Sequence, residues 1–283
     1  MKQHVQTELY PVALTVAGSD SGGGAGIQAD LRTFNAFGVF GCSAITAVTA
    51  QNPEEVRRID LIPPEGVRAQ LETVLARIAV CAAKTGMLGS AANVRAAAEV
   101  LKNARFKLVV DPVMVSTSGA KLLPDDAIEV LKTELLPRAD WVTPNLPEAE
   151  LLLGRELAGG PDYAAAAREI AARWECICVL KTGHAADLAE ASDYAALPDG
   201  RCFSVTTPRL PDPGKASHGT GCTFSAALAA VLAQRQGWKT ALAQAKSFVY
   251  GSLSEPAMIG KNLNAMYPPV EDYDRLVKIA ELG

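Results

Sequence analysis

Short apolar runs alternate with segments of helical periodicity along most of this 283-residue chain. Residues 12–17 form the first apolar run, and the following helical segment places Ile27, Leu31 and Phe34 on one face. A short apolar run is typical of a strand that is buried on both sides. Alternating strands and helices build a parallel sheet whose crossover helices cover both of its faces. The sequence therefore predicts an α/β fold with a mainly parallel central sheet and helices on both faces.

The predicted elements continue without an internal repeat, a low-complexity tract or a linker that would divide the chain. We therefore expect a single domain over residues 1–283, with its core over residues 12–253 and a tail over residues 256–283. The turn Pro198-Asp199-Gly200 indicates a hairpin, and the tail is expected to form a loosely structured lid or edge. The predicted strands are residues 12–17, 42–49, 82–85, 107–110, 140–143 and 177–181, and the predicted helices are residues 27–37, 64–78, 94–101, 125–136, 146–153, 161–174, 223–234 and 238–253.

Composition and charge exclude several classes of function. The net charge of −4 provides no basic surplus for nucleic acid or for an anionic membrane. No apolar run approaches the length of a membrane span, and residues 1–10 lack the apolar region of a signal peptide. The cysteines form no C-x-x-C pair, so we expect neither a disulfide framework nor a zinc site. A reducing cytoplasm is the expected location.

The segment Ser217-His218-Gly219-Thr220-Gly221-Cys222-Thr223 leads directly into an apolar, alanine-rich stretch over residues 224–233. Glycines at a helix start leave backbone N–H groups and the positive end of the helix dipole directed at one point. Such a point suits an anion, most often a phosphate. Cys222 is the reactive side chain presented there. The alternative is a glycine-rich loop before a packed helix, with Cys222 as a small buried apolar residue.

A second glycine-rich loop, over residues 18–26, follows the first predicted strand. In open α/β sheets, ligands bind outside the carboxyl ends of the strands, so polar residues at those ends are expected to share one site. The chain contains no Walker A motif, because Gly214-Lys215 is followed by Ala216 and Gly260-Lys261 by Asn262. The nominal dinucleotide fingerprint of the loop lacks an acidic residue at the end of the second strand. The other polar residues at predicted strand ends are Gln51, Asn52, Lys84, Asp111, Asn145, Glu148 and Lys181.

Six motifs follow one another in order at these ends. They are GSDSGGGAGIQAD over residues 18–30, TAVTAQN over 46–52, KTGML over 84–88, DPVMV over 111–115, NLPE over 145–148 and HGTGCT over 218–223. The set resembles bacterial hydroxymethylpyrimidine/phosphomethylpyrimidine kinase of thiamine biosynthesis, in the ribokinase superfamily. The resemblance implies a ribokinase-like three-layer fold and ATP-dependent phosphorylation of 4-amino-5-hydroxymethyl-2-methylpyrimidine. It also implies phosphorylation of the monophosphate to the pyrophosphate, and a homodimer.

The resemblance gives the residues of the last motif catalytic roles. Gly219, Thr220 and Gly221 would form an anion hole for the transferring phosphoryl group, where preorganised donors stabilise developing charge. Cys222 stands where many ribokinase relatives have an aspartate. Because helix N-termini lower thiol pKa values, we expect Cys222 to accept the proton of the substrate hydroxyl. The alternative is that Cys222 only positions that hydroxyl.

Five residues are implied to bind the pyrimidine. Asp30 matches an aspartate that accepts from the exocyclic amine, and Gln51 matches a glutamine that offers both a donor and an acceptor. Ala25, Met87 and Val113 would line the ring pocket. Without the resemblance, Asp30 would be a surface charge, Gln51 part of a turn and Met87 a core residue.

Four residues are implied to bind the phosphates of ATP and a magnesium ion. Asp111 and Glu148 would hold Mg²⁺, directly or through water, because magnesium keeps several waters and few protein ligands. Asn145 would orient Glu148 or a metal-bound water, and Lys181 would reach the phosphates as a point charge. The alternatives are a capping box formed by Asn145 and Glu148, and a solvated lysine at position 181.

Several other functions remain open. Pyridoxal or pyridoxine kinase is the nearest alternative, because vitamin B6 also carries a hydroxymethyl arm on a six-membered nitrogen heterocycle; Asp30 and Gln51 favour the aminopyrimidine. A sugar kinase is disfavoured by Cys222. A catalytically silent pyrimidine-binding or regulatory protein is disfavoured because the phosphate-site residues are present. The chain departs from the family pattern at Thr182-Gly183-His184, at Pro53 and over residues 211–216 and 259–267. The resemblance therefore supports the first phosphorylation more strongly than the adenine contacts, a C-terminal lid or the second phosphorylation.

Overall fold

A computed structural model describes residues 9–114, 122–158, 161–183, 190–211 and 217–283 of the chain. The predicted motif residues Val115 and His184, and the segments 1–8 and 212–216, lie outside the described residues. The strands are β1 (Val12–Asp20), β2 (Phe40–Gln51), β3 (Val56–Leu61), β4 (Ala82–Thr85), β5 (Lys107–Val110), β6 (Trp141–Val142), β7 (Ile177–Lys181), β8 (Ala191–Ala196), β9 (Cys202–Thr207), β10 (Ala257–Gly260), β11 (Leu263–Ala265) and β12 (Lys278–Leu282). The helices are α1 (Gly26–Ala36), α2 (Pro64–Leu75), α3 (Ala91–Leu101), α4 (Asp125–Val130), α5 (Leu146–Leu153), α6 (Pro161–Trp174), α7 (Thr220–Ala233) and α8 (Trp238–Ser254).

The main sheet confirms the predicted α/β class. In the described part of the chain its ten strands follow the order β12-β9-β8-β7-β6-β5-β4-β1-β2-β3. The central strands β2, β1, β4, β5, β6 and β7 pair in parallel. Antiparallel strands extend both sides, β3 at one edge and β8, β9 and β12 at the other. The sheet is therefore mainly parallel, and its parallel strands end along one side.

Helices cover both faces of this sheet. Val109 and Val110 are neighbours in β5 and point to opposite faces. Val110 packs in a core with Leu71 of α2, whereas Val109 packs in a second core with Phe34 of α1 and Leu228 of α7. The alanine-rich α7 is buried along most of its length, because small side chains let it approach the sheet closely. Among the described residues, no helix combines the length and the apolar character needed to cross a bilayer.

The hairpin predicted around Pro198-Asp199-Gly200 is confirmed as β8 and β9, which pair antiparallel. The tail is more regular than the predicted loosely structured lid or edge, although its last strand does lie at an edge of the sheet. It forms a small hairpin, β10 with β11, and then adds β12 to the main sheet beside β9. Residues 125–136 were expected to form one helix, but the regular α-helical turns stop at Val130 and a wider π-helical turn follows over Leu131–Leu135.

Candidate active site

The N-terminus of α7 lies at the carboxyl ends of the parallel strands, where the sequence places the anion hole. Gly219 precedes the helix with φ of +87°, a left-handed conformation that favours glycine. No described side chain caps this end, so the first N–H groups of the helix remain directed outward. A Cβ atom on Gly219 would collide with the carbonyl oxygen of Gly24. The two glycine-rich loops therefore touch, which brings the first and last motifs together.

We expect Gly219→Ala to lower the free energy of unfolding by about 2–3 kcal/mol, because it adds both backbone strain and a collision with Gly24. Gly154→Ala is a matched control. Gly154 also has a positive φ, +71°, but its added Cβ would meet nothing within 4 Å, so strain alone costs about 1 kcal/mol. Denaturant unfolding of both variants measures the difference. Equal losses would contradict a tight contact between the loops.

Cys222 lies in the first turn of α7 and is half-buried. The backbone N–H of Gly26, at the start of α1, donates to its sulfur. Burial raises the pKa of the Cys222 thiol to about 11, and the nearby ammonium of Lys84 opposes this rise only in part. The lowered pKa predicted from the helix N-terminus is therefore wrong: desolvation outweighs the helix end and the lysine.

A buried ion pair lies beneath this cysteine. Nζ of Lys84, in β4, is 2.9 Å from both carboxylate oxygens of Asp30, in α1, and the hydroxyl of Thr15 donates to Asp30 at 2.6 Å. Lys84 and Asp30 are both 0% exposed. Burial opposes the charge of Lys84, but the carboxylate of Asp30 outweighs this effect and raises the lysine pKa.

This geometry gives Asp30 a different set of neighbours from the one implied by the resemblance. Its two oxygens face Lys84 and Thr15 inside the protein, and the structure does not bring them to an open pocket. The sequence analysis assigns Lys84 no role, although a lysine within a predicted buried strand, residues 82–85, could have indicated one. A buried lysine requires a partner, and such a partner marks a polar centre.

The second cluster of the site surrounds Asp111, immediately after β5. Nζ of Lys181 is 3.0 Å from Oδ1 of Asp111, the hydroxyl of Thr143 donates to Oδ1 at 3.2 Å, and that of Ser225 donates to Oδ2 at 3.1 Å. Burial tends to raise the pKa of Asp111, but Lys181 and other donors outweigh it and lower the pKa. A Cβ on Gly221 would lie 3.1 Å from Nζ of Lys181. The ion pair thus lies directly beside the predicted anion hole.

Asn145 and Glu148 form a capping box, which is the alternative that the sequence predicts for them. The Asn145 side chain accepts from the N–H of Glu148 at 2.9 Å, and the Glu148 carboxylate accepts from the N–H of Asn145 at 2.9 Å. Burial raises the pKa of Glu148 to about 7, with a further contribution from the negative charge of Asp111, while Lys181 opposes the rise. Asn145 therefore orients Glu148. The carboxyl groups of Glu148 and Asp111 are both buried, and their negative charges repel each other.

We expect Glu148→Gln to stabilise the ligand-free protein at alkaline pH. Folding raises the pKa of Glu148, so its protonated carboxyl contributes stability that is fully present below pH 4.5. That contribution is lost as the pH rises through about 7, where the buried carboxyl ionises. Glutamine keeps the capping box without the charge. The free energy of unfolding should increase by roughly 2–3 kcal/mol at pH 8 and by less than about 1 kcal/mol at pH 5. Denaturant titrations at both pH values test this, and a gain that does not depend on pH would contradict it.

The residues of the proposed pyrimidine pocket lie at the same end of the sheet. Gln51 ends β2, and Ala25 precedes α1, with its N–H donating to Asp20 at 2.9 Å. Met87 follows β4 and is buried, with its sulfur 3.4 Å from where a Cβ on Gly18 would lie. Val113 follows β5 and is half-buried. The structure thus brings these residues to the same side of the sheet.

The carboxylates fit a magnesium ion that is shared with phosphate oxygens rather than enclosed by the protein. The described residues contain no group of three or more His, Cys, Asp or Glu side chains placed to hold a metal. Asp111 and Glu148 remain as two buried carboxyl groups whose repulsion a divalent cation would relieve. Magnesium is typically bound through one or two carboxylates, with waters and substrate phosphates completing its octahedron.

Comparisons with known proteins identify the family of this chain. A hydroxymethylpyrimidine/phosphomethylpyrimidine kinase of Haemophilus influenzae is 45% identical over 251 residues, which are 88% of this chain and 93% of that protein. The pyridoxal kinase of Staphylococcus aureus in complex with AMP-PCP and pyridoxal superposes with a TM-score of 0.86 at 32% identity, covering 97% of this chain and 100% of that one. The phosphomethylpyrimidine kinase of Clostridium difficile superposes with a TM-score of 0.74 at 36% identity, covering 84% and 97%. The sequence pattern of the phosphomethylpyrimidine kinase family matches residues 20–267, and this chain belongs to that family.

Proposed function

We propose that the protein transfers the γ-phosphoryl group of ATP to 4-amino-5-hydroxymethyl-2-methylpyrimidine and then phosphorylates the monophosphate to the pyrophosphate. The observation that carries the proposal is the uncapped N-terminus of α7 beside Cys222 and the Lys181–Asp111 ion pair. This arrangement combines backbone donors, a proton-accepting group and a cation for phosphate at one point. The names of the relatives, which include hydroxymethylpyrimidine/phosphomethylpyrimidine kinases, support the same activity.

In this proposal, the hydroxymethyl oxygen attacks the γ-phosphorus, and the bond from that phosphorus to the departing ADP oxygen breaks. The N–H groups of Gly219, Thr220 and Gly221 stabilise the charge on the transferring group. Cys222 takes the hydroxyl proton as its thiolate, which is the minor form at neutral pH given a pKa of about 11. In a loose phosphoryl-transfer transition state, positioning and charge stabilisation supply most of the catalysis.

The nucleotide phosphates are assigned to the cluster around Asp111. Lys181 binds them as a point charge, Asp111 and Glu148 hold Mg²⁺ directly or through water, and Asn145 orients Glu148. When bound, Mg²⁺ neutralises charge on the phosphate oxygens. The complexes of the Staphylococcus aureus neighbour with ADP and AMP-PCP support the use of ATP.

The pyrimidine is assigned to the carboxyl ends of the strands, beside Gln51, Ala25, Met87 and Val113. The amide of Gln51 offers both a donor and an acceptor to the amine edge of the ring. Asp30 acts through Lys84, whose ammonium it holds beneath Cys222, in place of the direct contact that the resemblance implies. We further propose that residues 1–283 form a single domain, and that the enzyme is a cytoplasmic homodimer.

Pyridoxal kinase is the second candidate. It is favoured by the shape comparison, since the Staphylococcus aureus pyridoxal kinase superposes with a higher TM-score than the Clostridium difficile phosphomethylpyrimidine kinase. Sequence identity favours the pyrimidine kinases, at 45% for the Haemophilus influenzae protein against 32% for the pyridoxal kinase. We therefore rank the pyrimidine first.

A coupled ADP-release assay with Mg-ATP tests the proposal. The aminopyrimidine alcohol, its monophosphate and pyridoxal are compared as acceptors at equal concentration. Turnover of both pyrimidines with kcat/KM above that for pyridoxal is the expected result. A preference for pyridoxal would instead indicate a pyridoxal kinase. Binding without turnover of any acceptor would indicate a catalytically silent binding protein.

A further inference from the structure

A buried ion pair that the proposed reaction does not use lies in the sheet next to β7. Nζ of Lys246, in α8, is 2.7 Å from Oδ2 of Asp193, in β8, and the two side chains are 9% and 7% exposed. Burying two charges costs free energy, and an apolar pair of similar volume is often at least as stable. The position of the pair beside the phosphate end of the site therefore indicates a role other than stability alone.

Asp193 lies directly opposite Lys181 in the antiparallel pairing of β7 with β8. Side chains that are opposite each other in such a pairing project from the same face and come close together. Val179 and Ala195, two residues along each strand, pack on the face that α7 and α8 cover, so Lys181 and Asp193 point to that face as well. The ammonium of Lys181 is nevertheless paired with Asp111, at 3.0 Å. The carboxylate of Asp193 is thus a second anion beside Lys181, and Lys246 is the cation that neutralises it.

The other oxygen of Asp193 fixes the main chain where β7 ends. Oδ1 accepts from the N–H of Thr182 at 2.9 Å, and the hydroxyl of Thr182 donates to the carbonyl oxygen of Ser192. On the other side of the strand, the N–H of Lys181 donates to the carbonyl oxygen of Pro144 at 2.8 Å. The side-chain contacts of Asp193 and Thr182 thus replace the strand pairing immediately after Lys181. The backbone that carries the Lys181 ammonium is therefore held from both sides.

We propose that Lys246 and Asp193 are positioning residues, which direct the ammonium of Lys181 toward the nucleotide phosphates. This inference rests on the proposed function, in which Lys181 binds those phosphates. Lys246 neutralises the carboxylate that lies opposite Lys181, and so removes a competing partner for the ammonium. Asp193 holds the main chain at Thr182, which fixes the point from which the Lys181 side chain extends. Neither residue needs to contact the nucleotide.

Calorimetric titration tests this separately from catalysis. The probes are Mg-ADP and, without nucleotide, 4-amino-5-hydroxymethyl-2-methylpyrimidine. Lys246→Met leaves the Asp193 carboxylate without its cation, so that this carboxylate attracts the ammonium of Lys181. We expect the dissociation constant for Mg-ADP to rise about tenfold or more, the effect of weakening one charge-assisted contact, and that for the pyrimidine to stay within about threefold. Lys246→Arg, which keeps the charge, should retain most of the affinity for Mg-ADP.

Lys239→Met is the matched control. Lys239 lies in the same helix as Lys246 but is exposed, with its ammonium over the rings of Trp238 and Phe203. Its replacement removes one positive charge from α8 without touching Asp193, so both dissociation constants should stay at their wild-type values.

Two double variants keep the test decisive if Lys246→Met alone does not fold. Lys246→Met with Asp193→Asn removes both charges and keeps an acceptor for the N–H of Thr182, so the affinity for Mg-ADP should return to within about threefold of the wild type. Lys246→Met with Asp193→Ala also lacks that acceptor. It should bind Mg-ADP about tenfold more weakly than the double variant with Asp193→Asn, because the main chain beside Lys181 is then released.

Wild-type affinity for Mg-ADP in Lys246→Met and in both double variants would overturn the inference while leaving the proposed function intact. Equal losses of affinity for Mg-ADP and for the pyrimidine would also overturn it, since they would indicate a general effect on the fold. If the wild type does not bind Mg-ADP, the proposed use of ATP fails and the inference fails with it.

Discussion

Replacing Cys222 by alanine is expected to lower kcat for the aminopyrimidine alcohol by a factor of about a hundred to ten thousand, the usual contribution of a positioned proton acceptor. KM should change little, because the thiol acts on the hydroxyl during transfer rather than on the ring. Coupled ADP release measures both constants. Cys81→Ala is the matched control: Cys81 is also half-buried, but its thiol donates to the carbonyl oxygen of Ala79, at 3.6 Å, and packs against the apolar core, so the control should retain wild-type activity.

The pH profile separates the two roles left open for Cys222. With a thiol pKa of about 11, the thiolate fraction rises about tenfold per pH unit below that value. If the thiolate takes the proton, kcat/KM should rise about tenfold per unit from pH 8 to pH 10. Glu148, with a pKa of about 7, is already ionised in this range. A flat profile together with a large loss in Cys222→Ala would mean that the thiol only positions the hydroxyl. Wild-type activity in that variant would contradict both roles.

The fold could be predicted from the sequence wherever strands are buried on both faces, because their apolar runs stand out. Strand β1, with eight of its nine residues buried, is an example. Strand β3 was missed because it pairs on one side only and carries exposed charges at Arg57, Arg58 and Asp60. Strand β12, at the opposite edge, is also half exposed and was missed for the same reason. Edge strands need not be apolar, so hydrophobic periodicity does not detect them.

The site could be predicted as far as local motifs extend. The glycine-rich loops and the polar residues after predicted strands indicate that the site lies at the carboxyl ends of the sheet. The structure brings Lys181, Asp111 and Gly221 together there, as expected. The pairing of Asp30 with Lys84 could not be predicted, since it joins residues 54 positions apart through the interior. The direction of the Cys222 pKa shift was missed for a related reason. The glycine motif indicates that Cys222 lies at a helix N-terminus, which would lower the pKa of its thiol. Only the folded structure shows that burial raises that pKa by more.

Replacing Lys84 by methionine is expected to destabilise the protein by about 3–5 kcal/mol, because it keeps most of the side-chain volume but leaves the buried carboxyl of Asp30, whose pKa burial already raises, without its charged partner. For a chain of this size, that loss lowers Tm by roughly 10 °C. Calorimetry at pH 7 measures the shift. The double variant Lys84→Met, Asp30→Asn removes both charges and keeps the polar group that Thr15 contacts, so it should recover most of the lost stability.

The double variant also separates folding from catalysis. It lacks both the Lys84 ammonium, which favours the Cys222 thiolate, and the Asp30 carboxylate, which opposes it. Because the ammonium has the larger effect, the thiol of the double variant should react more slowly with iodoacetamide between pH 8 and 10 than the wild-type thiol does. Its kcat should stay low even though the protein is folded. Recovery of both stability and wild-type kcat would show that the charge of Lys84 serves folding alone. A single Lys84→Met variant as stable as the wild type would contradict the buried pair itself. Low kcat and slow alkylation in a stable double variant would place the buried Lys84–Asp30 pair in control of the thiol, because the fold would then be intact and only that pair beneath Cys222 would have changed.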